Sequence, residues 1–328
     1  MDRRNFLKTG AAAALGLSAG AASANTSSAG DKIKFRGVMT ALITPVDANG
    51  NVKKNVVAQL IEHNLKAGIK GFYVAGGTGE GAVLQTKQRR DVAEAAAAAN
   101  KKRGKIIIQV GSIHAAEAIE LTRHANEIGA DAVSSILPSL YFGYNIDELC
   151  DYYKKICDNT DLPVFAYVNK IGVGTDANAM IDRLMKIKNF IGAKDTRANY
   201  FQLWQLKQLN NGNINVLNGP DESLLCGLAM GADGGIGTTY GFMPDRFVEL
   251  YRRFKAGDIA GAQEMQAKIN RVIAVFFKWA DGNGIRPTKE IFKLMGFDAG
   301  GAMPPAREYS AAKAAAFKKD LVAAGLEL

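Results

Sequence analysis

Eight short β-rich runs, each followed by an amphipathic helical stretch, predict an α/β chain folded as a (β/α)8 barrel of the TIM type with a C-terminal helical extension. The runs recur about every 28 residues, room for a strand, a helix and two short loops. They are mostly apolar without alternation, as parallel strands covered on both faces require. After residue 245 no strand signal returns and only helical patterns follow. An open doubly wound sheet is the alternative arrangement of the same units.

The first 24 residues read as processing sequence. Arg3-Arg4 precedes Phe6-Leu7-Lys8, the small-residue stretch AAAALGLSAGAASA follows, and Ala22-Ser23-Ala24 offers an A-x-A cleavage site. The stretch is too short and too weakly apolar to span a bilayer. The arginine pair resembles the twin-arginine export signal, so the expectation is an exported, periplasmic protein with no membrane attachment once the signal is removed. Residues 25–36 then lead to the barrel, 37–256 form it and 257–328 form the extension.

The strand runs are GVMTALI from Gly37, GFYVAGG from Gly71, KIIIQVG from Lys105, DAVSSIL from Asp131, PVFAYV from Pro163, FIGAKD from Phe190, INVLNG from Ile214 and GGIGTT from Gly234. Between them, NVVAQLIEHNLKAG, QRRDVAEAAAAANKK, AAEAIELTRHANEIGA and ANAMIDRLMKI carry apolar residues at three- and four-residue spacing. Gly68 and Gly129 stand just past the last turn of two of these helices. FVELYRRFKAG, IAGAQEMQAKINRVIAVFFKWA, TKEIFKLMG and AAKAAAFKKDLVAAG supply the helices after the last strand.

Composition narrows the function classes. With 328 residues, 48% of them hydrophobic and 22% charged, the chain is long and apolar enough to bury a large core. The net charge of +9 is dispersed, as in KKRGK and YRRFK at helix ends, which favours a solvated basic surface over a nucleic-acid groove. Cys150 and Cys157 lie seven residues apart on one helical stretch, a rise of about 10 Å and beyond disulfide reach. Cys226 reads as core, and no disulfide framework is implied. His63, His114 and His124 are scattered and form no ligand set, so neither a metal nor a cofactor is expected.

In this fold the active site forms at the C-terminal ends of the strands. Lys194 ends the sixth run, and Tyr167 lies near the end of the fifth. Gly76-Gly77-Thr78-Gly79-Glu80 follows the second, Gly219-Pro220-Asp221-Glu222 the seventh, and Gly237-Thr238-Thr239 ends the eighth. One reading of Lys194 is a strand-end lysine paired with Asp195 in solvent. The other is a catalytic amine, since burial favours the neutral, nucleophilic form. Such an amine condenses with a keto acid to an imine, an electron sink for carbon–carbon cleavage, and a phenol shuttles the proton. Backbone N–H groups around Gly77 with the Thr78 hydroxyl suit a carboxylate. Asp221 and Glu222 accept hydrogen bonds from sugar hydroxyls, cap the helix that follows them, or do both. GGTGEG lacks the spacing and the later acidic residue of a dinucleotide fingerprint, which speaks against a nicotinamide oxidoreductase.

GGTGEG at 76–81, LPVFAY at 162–167, IGAKDT at 191–196 and NGPDE with GLAMGADGGIGTTY at 218–240 together resemble the N-acetylneuraminate lyase and dihydrodipicolinate synthase superfamily of class I aldolases. The resemblance runs from about residue 36 to 298. It implies that Lys194 is the Schiff-base lysine, Tyr167 the proton shuttle, and Thr78 with Gly77 the pyruvate carboxylate site. NGPDE and GGIGTTY look most like the lyase branch, where the matching Thr196, Gly219, Asp221, Glu222 and Thr238 contact the sugar chain. Gly172 stands where the synthase branch has an arginine for a second carboxylate. The expected partners are a small-molecule keto sugar acid and pyruvate, with a second copy of the chain in a homo-oligomer, dimer or tetramer.

Three positions depart from the family pattern. Gly77 replaces a Ser or Thr, Leu140 (beside Tyr141) replaces a tyrosine that reaches a neighbouring subunit, and Lys170 replaces a proline. Lys170 either binds an anionic substrate or is solvated. Another 2-keto-3-deoxy sugar acid aldolase or dehydratase, or a non-catalytic binding protein on the same barrel, therefore stands beside the lyase reading.

Overall fold

Closure of the sheet decides between the two expected architectures. In a computed structural model describing Lys32 and residues 34–138, 142–169 and 176–328, eight parallel strands pair in chain order and the first returns to the last. They are β1 (Gly37–Ala41), β2 (Gly71–Val74), β3 (Lys105–Gln109), β4 (Ala132–Ile136), β5 (Val164–Val168), β6 (Phe190–Asp195), β7 (Asn215–Asn218) and β8 (Gly234–Gly237). Each contains part of one of the eight runs. The export signal, Leu140, Tyr141, Lys170 and Gly172 lie outside the described residues.

Strands alternate with α1 (Lys54–Lys66), α2 (Thr86–Asn100), α3 (Ala115–Glu127), α4 (Ile146–Cys157), α5 (Ala177–Leu184), α6 (Tyr200–Gln208), α7 (Leu224–Ala229) and α8 (Pro244–Lys255). Local chemistry sets several ends. Asn145 accepts from Glu148 N at 3.0 Å while the Glu148 carboxylate accepts from Asn145 N at 2.8 Å, a reciprocal cap that starts α4. Gly68 and Gly129, at φ +95° and +67°, take the left-handed turns that follow α1 and α3.

Two apolar layers result. The larger lies between strands and helices; the smaller fills the barrel with Met39, Ala41, Tyr73, Ile107, Ala132, Phe165, Ile191, Leu217 and Ile236. Each fully buried large apolar side chain contributes about 1.5–3 kcal/mol, so the barrel is a packed core and not a pore. Phe35, in the leader, plugs the floor, its ring 5.2 Å from Phe165 at 78°. Asn215 holds that leader by accepting from Lys34 N and Phe35 N and donating to Phe35 O. Lys32 Nζ donates to the carbonyls of Met185, Ile187 and Phe190. With its floor sealed, the barrel presents its chemistry at the opposite end.

The extension comprises α9 (Ile259–Ala280), α10 (Ile285–Leu294) and α11 (Ala311–Ala323). Ala262, Gln266, Ile269, Val272, Ile273 and Phe276 make the buried face of α9 at helical spacing. Barrel and extension form one compact unit, Lys32–Leu328. Gln266 donates to Asp221 O and Asn270 to Glu222 O, so the extension holds the loop after β7.

The cysteines are free. Cys226, expected in the core, is exposed: six-residue α7 buries Leu224, Gly227 and Leu228, which turns position 226 outward. Basic residues at helix ends are largely paired, Arg103 with Glu62 and Arg252 and Arg253 with Glu249. Among the described residues no helix is long and apolar enough to cross a membrane.

Candidate active site

Strand register puts Lys194 opposite Tyr167. A bulge between Val164 and Phe165 shifts the β5–β6 pairing, so that Phe165 faces Gly192 and Tyr167 faces Lys194. Glycine is required at 192 because a Cβ there would lie 1.9 Å from Asn215 O on β7. Side chains alternate along a strand, so Lys194 and Asp195 point to opposite faces. Lys194 is only 6% exposed. Its Nζ lies 4.4 Å from the ring centroids of both Tyr73 and Tyr167. Among the described residues no carboxylate comes within ion-pair distance of that nitrogen.

Solvent pairing of Lys194 with Asp195 is therefore wrong. Asp195 is buried and belongs to Arg197, which donates Nε to Oδ1 at 3.0 Å and Nη2 to Oδ2 at 2.7 Å. Arg197 Nη2 also reaches Asn178 Oδ1 at 2.9 Å. This bidentate pair neutralises the aspartate behind the lysine.

Tyr73 is the site residue that sequence reasoning missed. Its ring meets that of Tyr167 edge-on, centroids 6.0 Å apart at 77°, and its hydroxyl donates to Ser134 Oγ at 3.0 Å. Burial pushes its phenol far above the usual range, so it stays neutral as a wall of the amine's pocket. In GFYVAGG it reads as one aromatic in an apolar strand; only the inward parity shared with Met39, Phe165 and Tyr167 singles it out.

The turn after β2 is rigid. Thr78 Oγ1 and Thr238 Oγ1 are 2.6 Å apart, joining the ends of β2 and β8. Thr44 donates its hydroxyl to Gly79 O at 2.7 Å, and Glu80 N donates to Gly77 O at 3.0 Å. Gly77 is exposed, and nothing lies within 4 Å of where its Cβ would be.

Thr196 and Gly219 also meet. Gly219 N donates to Asp195 O at 2.7 Å, and a Cβ on Gly219 would collide with Thr196 Oγ1 at 1.9 Å. Thr196 Oγ1 is buried at the strand end and has no hydrogen-bond partner among the described residues.

Neither Asp221 nor Glu222 caps α7. Ser223 is its N-cap residue and makes no side-chain cap bond, and the first turn is capped from the extension, where Gln266 Oε1 accepts from Leu225 N at 3.1 Å. Asp221 is buried, and its Oδ2 accepts from Thr239 N at 2.6 Å and Thr239 Oγ1 at 2.7 Å. It thus ties the loop after β7 to the end of β8. Burial lifts its carboxyl to about 7, against those hydrogen bonds and the charge of Lys194, which pull it down. Glu222 stays half-buried. No three His, Cys, Asp or Glu among the described residues are grouped to hold a metal ion.

The mouth therefore assembles an amine that has no ion-pair partner among the described residues and lies between two phenols, a hydroxyl-bearing glycine turn and a buried threonine hydroxyl. Comparison with known proteins agrees. A model of the dihydrodipicolinate synthetase family matches residues 34–324. The chain is 34% identical over 288 residues to the N-acetylneuraminate lyase of Rhizobium meliloti (strain 1021), covering 88% of this chain and 94% of that protein. Its fold is similar to that of Proteus mirabilis N-acetylneuraminate lyase, with a TM-score of 0.83 at 27% identity over 89% of this chain and 99% of that one. It is also similar to YagE, a prophage protein of the dihydrodipicolinic acid synthase family from E. coli K12 in complex with pyruvate, with a TM-score of 0.84 at 28% identity over 90% and 100%. The chain belongs to the dihydrodipicolinate synthetase family. It is accordingly a carbon–carbon lyase of the class I aldolase type.

Proposed function

We propose that this aldolase cleaves N-acetylneuraminate reversibly to pyruvate and N-acetylmannosamine, with Lys194 as the Schiff-base amine. The observation that carries the reading is the Lys194 nitrogen, buried between Tyr73 and Tyr167 with no carboxylate at ion-pair distance among the described residues. The neutral amine attacks the C2 ketone of the open-chain sugar, and loss of water gives a protonated imine. Tyr167, partly exposed on the neighbouring strand, helps remove the C4 hydroxyl proton, and the substrate's own carboxylate serves as relay. The C3–C4 bond breaks, its electron pair enters the imine as an enamine, and the C4 carbon leaves as an aldehyde. Protonation at C3 and hydrolysis release pyruvate and restore the amine. Thr78 with the backbone at Gly77 receives the carboxylate; Thr196, Gly219, Glu222 and Thr238 face the sugar chain.

Borohydride reduction in the presence of pyruvate tests the mechanism: the protein gains the mass of a reduced pyruvyl group on Lys194. A non-catalytic binder that uses no amine gains nothing.

A second substrate reading is favoured by Asp221. With Oδ2 committed to Thr239, it has less capacity for sugar hydroxyls than the lyase pattern needs. That suits another 2-keto-3-deoxy sugar acid. Product analysis over a panel of sialic and deoxy-keto acids separates the two. We also propose export through the Arg3-Arg4 signal, read by the N-terminus of the mature protein, and association as a homo-oligomer, read by its mass in solution.

A further inference from the structure

Lys289, far along the chain on α10, forms the most thoroughly buried ion pair in the described protein. Its Nζ lies 2.6 Å from Glu80 Oε2, and the two side chains are 2% and 5% exposed. The same nitrogen donates to Gly301 O at 2.7 Å, and Met303 N donates to Glu80 Oε1 at 2.5 Å. Both oxygens of Glu80 are thus held by the extension.

Glu80 is also the pivot of the glycine turn. It takes φ +60°, a left-handed conformation that costs a residue with a Cβ about 1 kcal/mol and persists only where the surroundings enforce it. Its N–H holds Gly77 O, and its own carbonyl receives Val83 N and Leu84 N. The backbone around Gly77 and Thr78 is therefore connected, through one side chain, to α10 and the segment after it. A cleft of about 380 Å³ between Gly77, Val83 and Met303–Ala306 leaves the turn room to move if that connection is cut.

We propose that Lys289 is a positioning residue for keto-acid binding: through Glu80 it holds the Gly77–Thr78 turn in the geometry that receives the substrate carboxylate. The extension is then part of the binding apparatus and not only a cover for the barrel. The inference rests on the reading of this turn as the carboxylate site.

The test is the pyruvate dependence of borohydride trapping on Lys194, measured in the full-length protein, in Glu80→Gln/Lys289→Met, and in Val272→Ala, a buried change in α9 that serves as a stability control. The double variant removes both charges while keeping volume, so it avoids an orphaned buried ion. The half-saturating pyruvate concentration should rise at least tenfold in the double variant, with the trapping rate at saturation within threefold of wild type. Val272→Ala should lower Tm without moving half-saturation. Half-saturation of the double variant within twofold of wild type overturns the proposal while leaving the Schiff-base mechanism intact. A wild-type protein that takes no adduct removes that mechanism first, and the proposal with it. If the double variant does not fold, Glu80→Asp keeps the charge but draws the carboxylate back by one methylene. It should raise half-saturation about threefold, and an unchanged value overturns the proposal as well.

Discussion

Two of the described lysines are nearly sealed from water, Lys194 at 6% and Lys289 at 1% exposure, and their surroundings differ in one respect. Lys289 on the extension has a carboxylate at 2.6 Å and a carbonyl at 2.7 Å. Lys194 in the barrel mouth has two aromatic faces at 4.4 Å. Burial pulls the Lys289 amine down from the ordinary lysine value while Glu80 opposes it, so the pair holds a charge in place. The Lys194 nitrogen, by contrast, is committed to no carboxylate at ion-pair distance among the described residues, as suits an amine that must bond to carbon. The contrast teaches that a buried lysine is structural or reactive according to what faces its nitrogen, not according to its burial.

Substitution by methionine, similar in length and uncharged, separates the two roles. Lys194→Met should lower cleavage by about 10⁴-fold or more and abolish the trapped adduct, while Tm stays within about 2 °C of wild type, since no ion pair is broken. Cleavage above that level, or a large loss of Tm, would blur the distinction. Tyr167→Phe, next to the amine, should cost roughly 10²–10³ in kcat while the adduct still forms, because a proton shuttle is lost but the nucleophile stays. Disappearance of the adduct in that variant would assign the phenol to imine formation instead.

Lys289→Met alone should cost about 3–5 kcal/mol of stability in chemical denaturation, because Glu80 is left buried and unpaired. A cost under about 1 kcal/mol would make the pair no more than a surface-like contact.

The smallest effect concerns Asp221, whose carboxyl is lifted by burial to about 7. The folded protein then keeps a proton that the unfolded chain has lost, so stability from this group is fully present below about pH 4 and is lost as pH rises to about 7. Asp221→Asn, which still offers an oxygen to Thr239 N, should narrow the Tm difference between pH 5 and pH 8 by about 3 °C or more. An unchanged difference would show that the carboxyl ionises in the folded state as readily as in the unfolded one.

Much of this was legible without coordinates. The strand runs, the closure they implied and the Lys194–Tyr167 pair follow from apolar runs of fixed spacing and from polar residues at their ends. Asp221 was legible as a mouth residue but not as a brace, because its partner Thr239 is eighteen positions away, in the turn beyond the next strand. Glu80 was legible only as a member of the glycine turn and Lys289 only as part of a helical stretch, since nothing in either local pattern announces a partner more than two hundred residues distant. Cys226 was misread because a short helix buries too narrow a face for its apolar composition to indicate which side turns inward.

The amino-acid order by itself determined the eightfold strand–helix alternation and the set of groups at the strand ends, because periodicity and turn chemistry are local. Only the tertiary structure decided which buried nitrogen faces aromatic rings in place of an ion-pair partner among the described residues, which carboxylates serve as braces and that the extension reaches the glycine turn. Those outcomes depend on distances between residues far apart in the chain, which are set by how the barrel closes and how the helices pack around it.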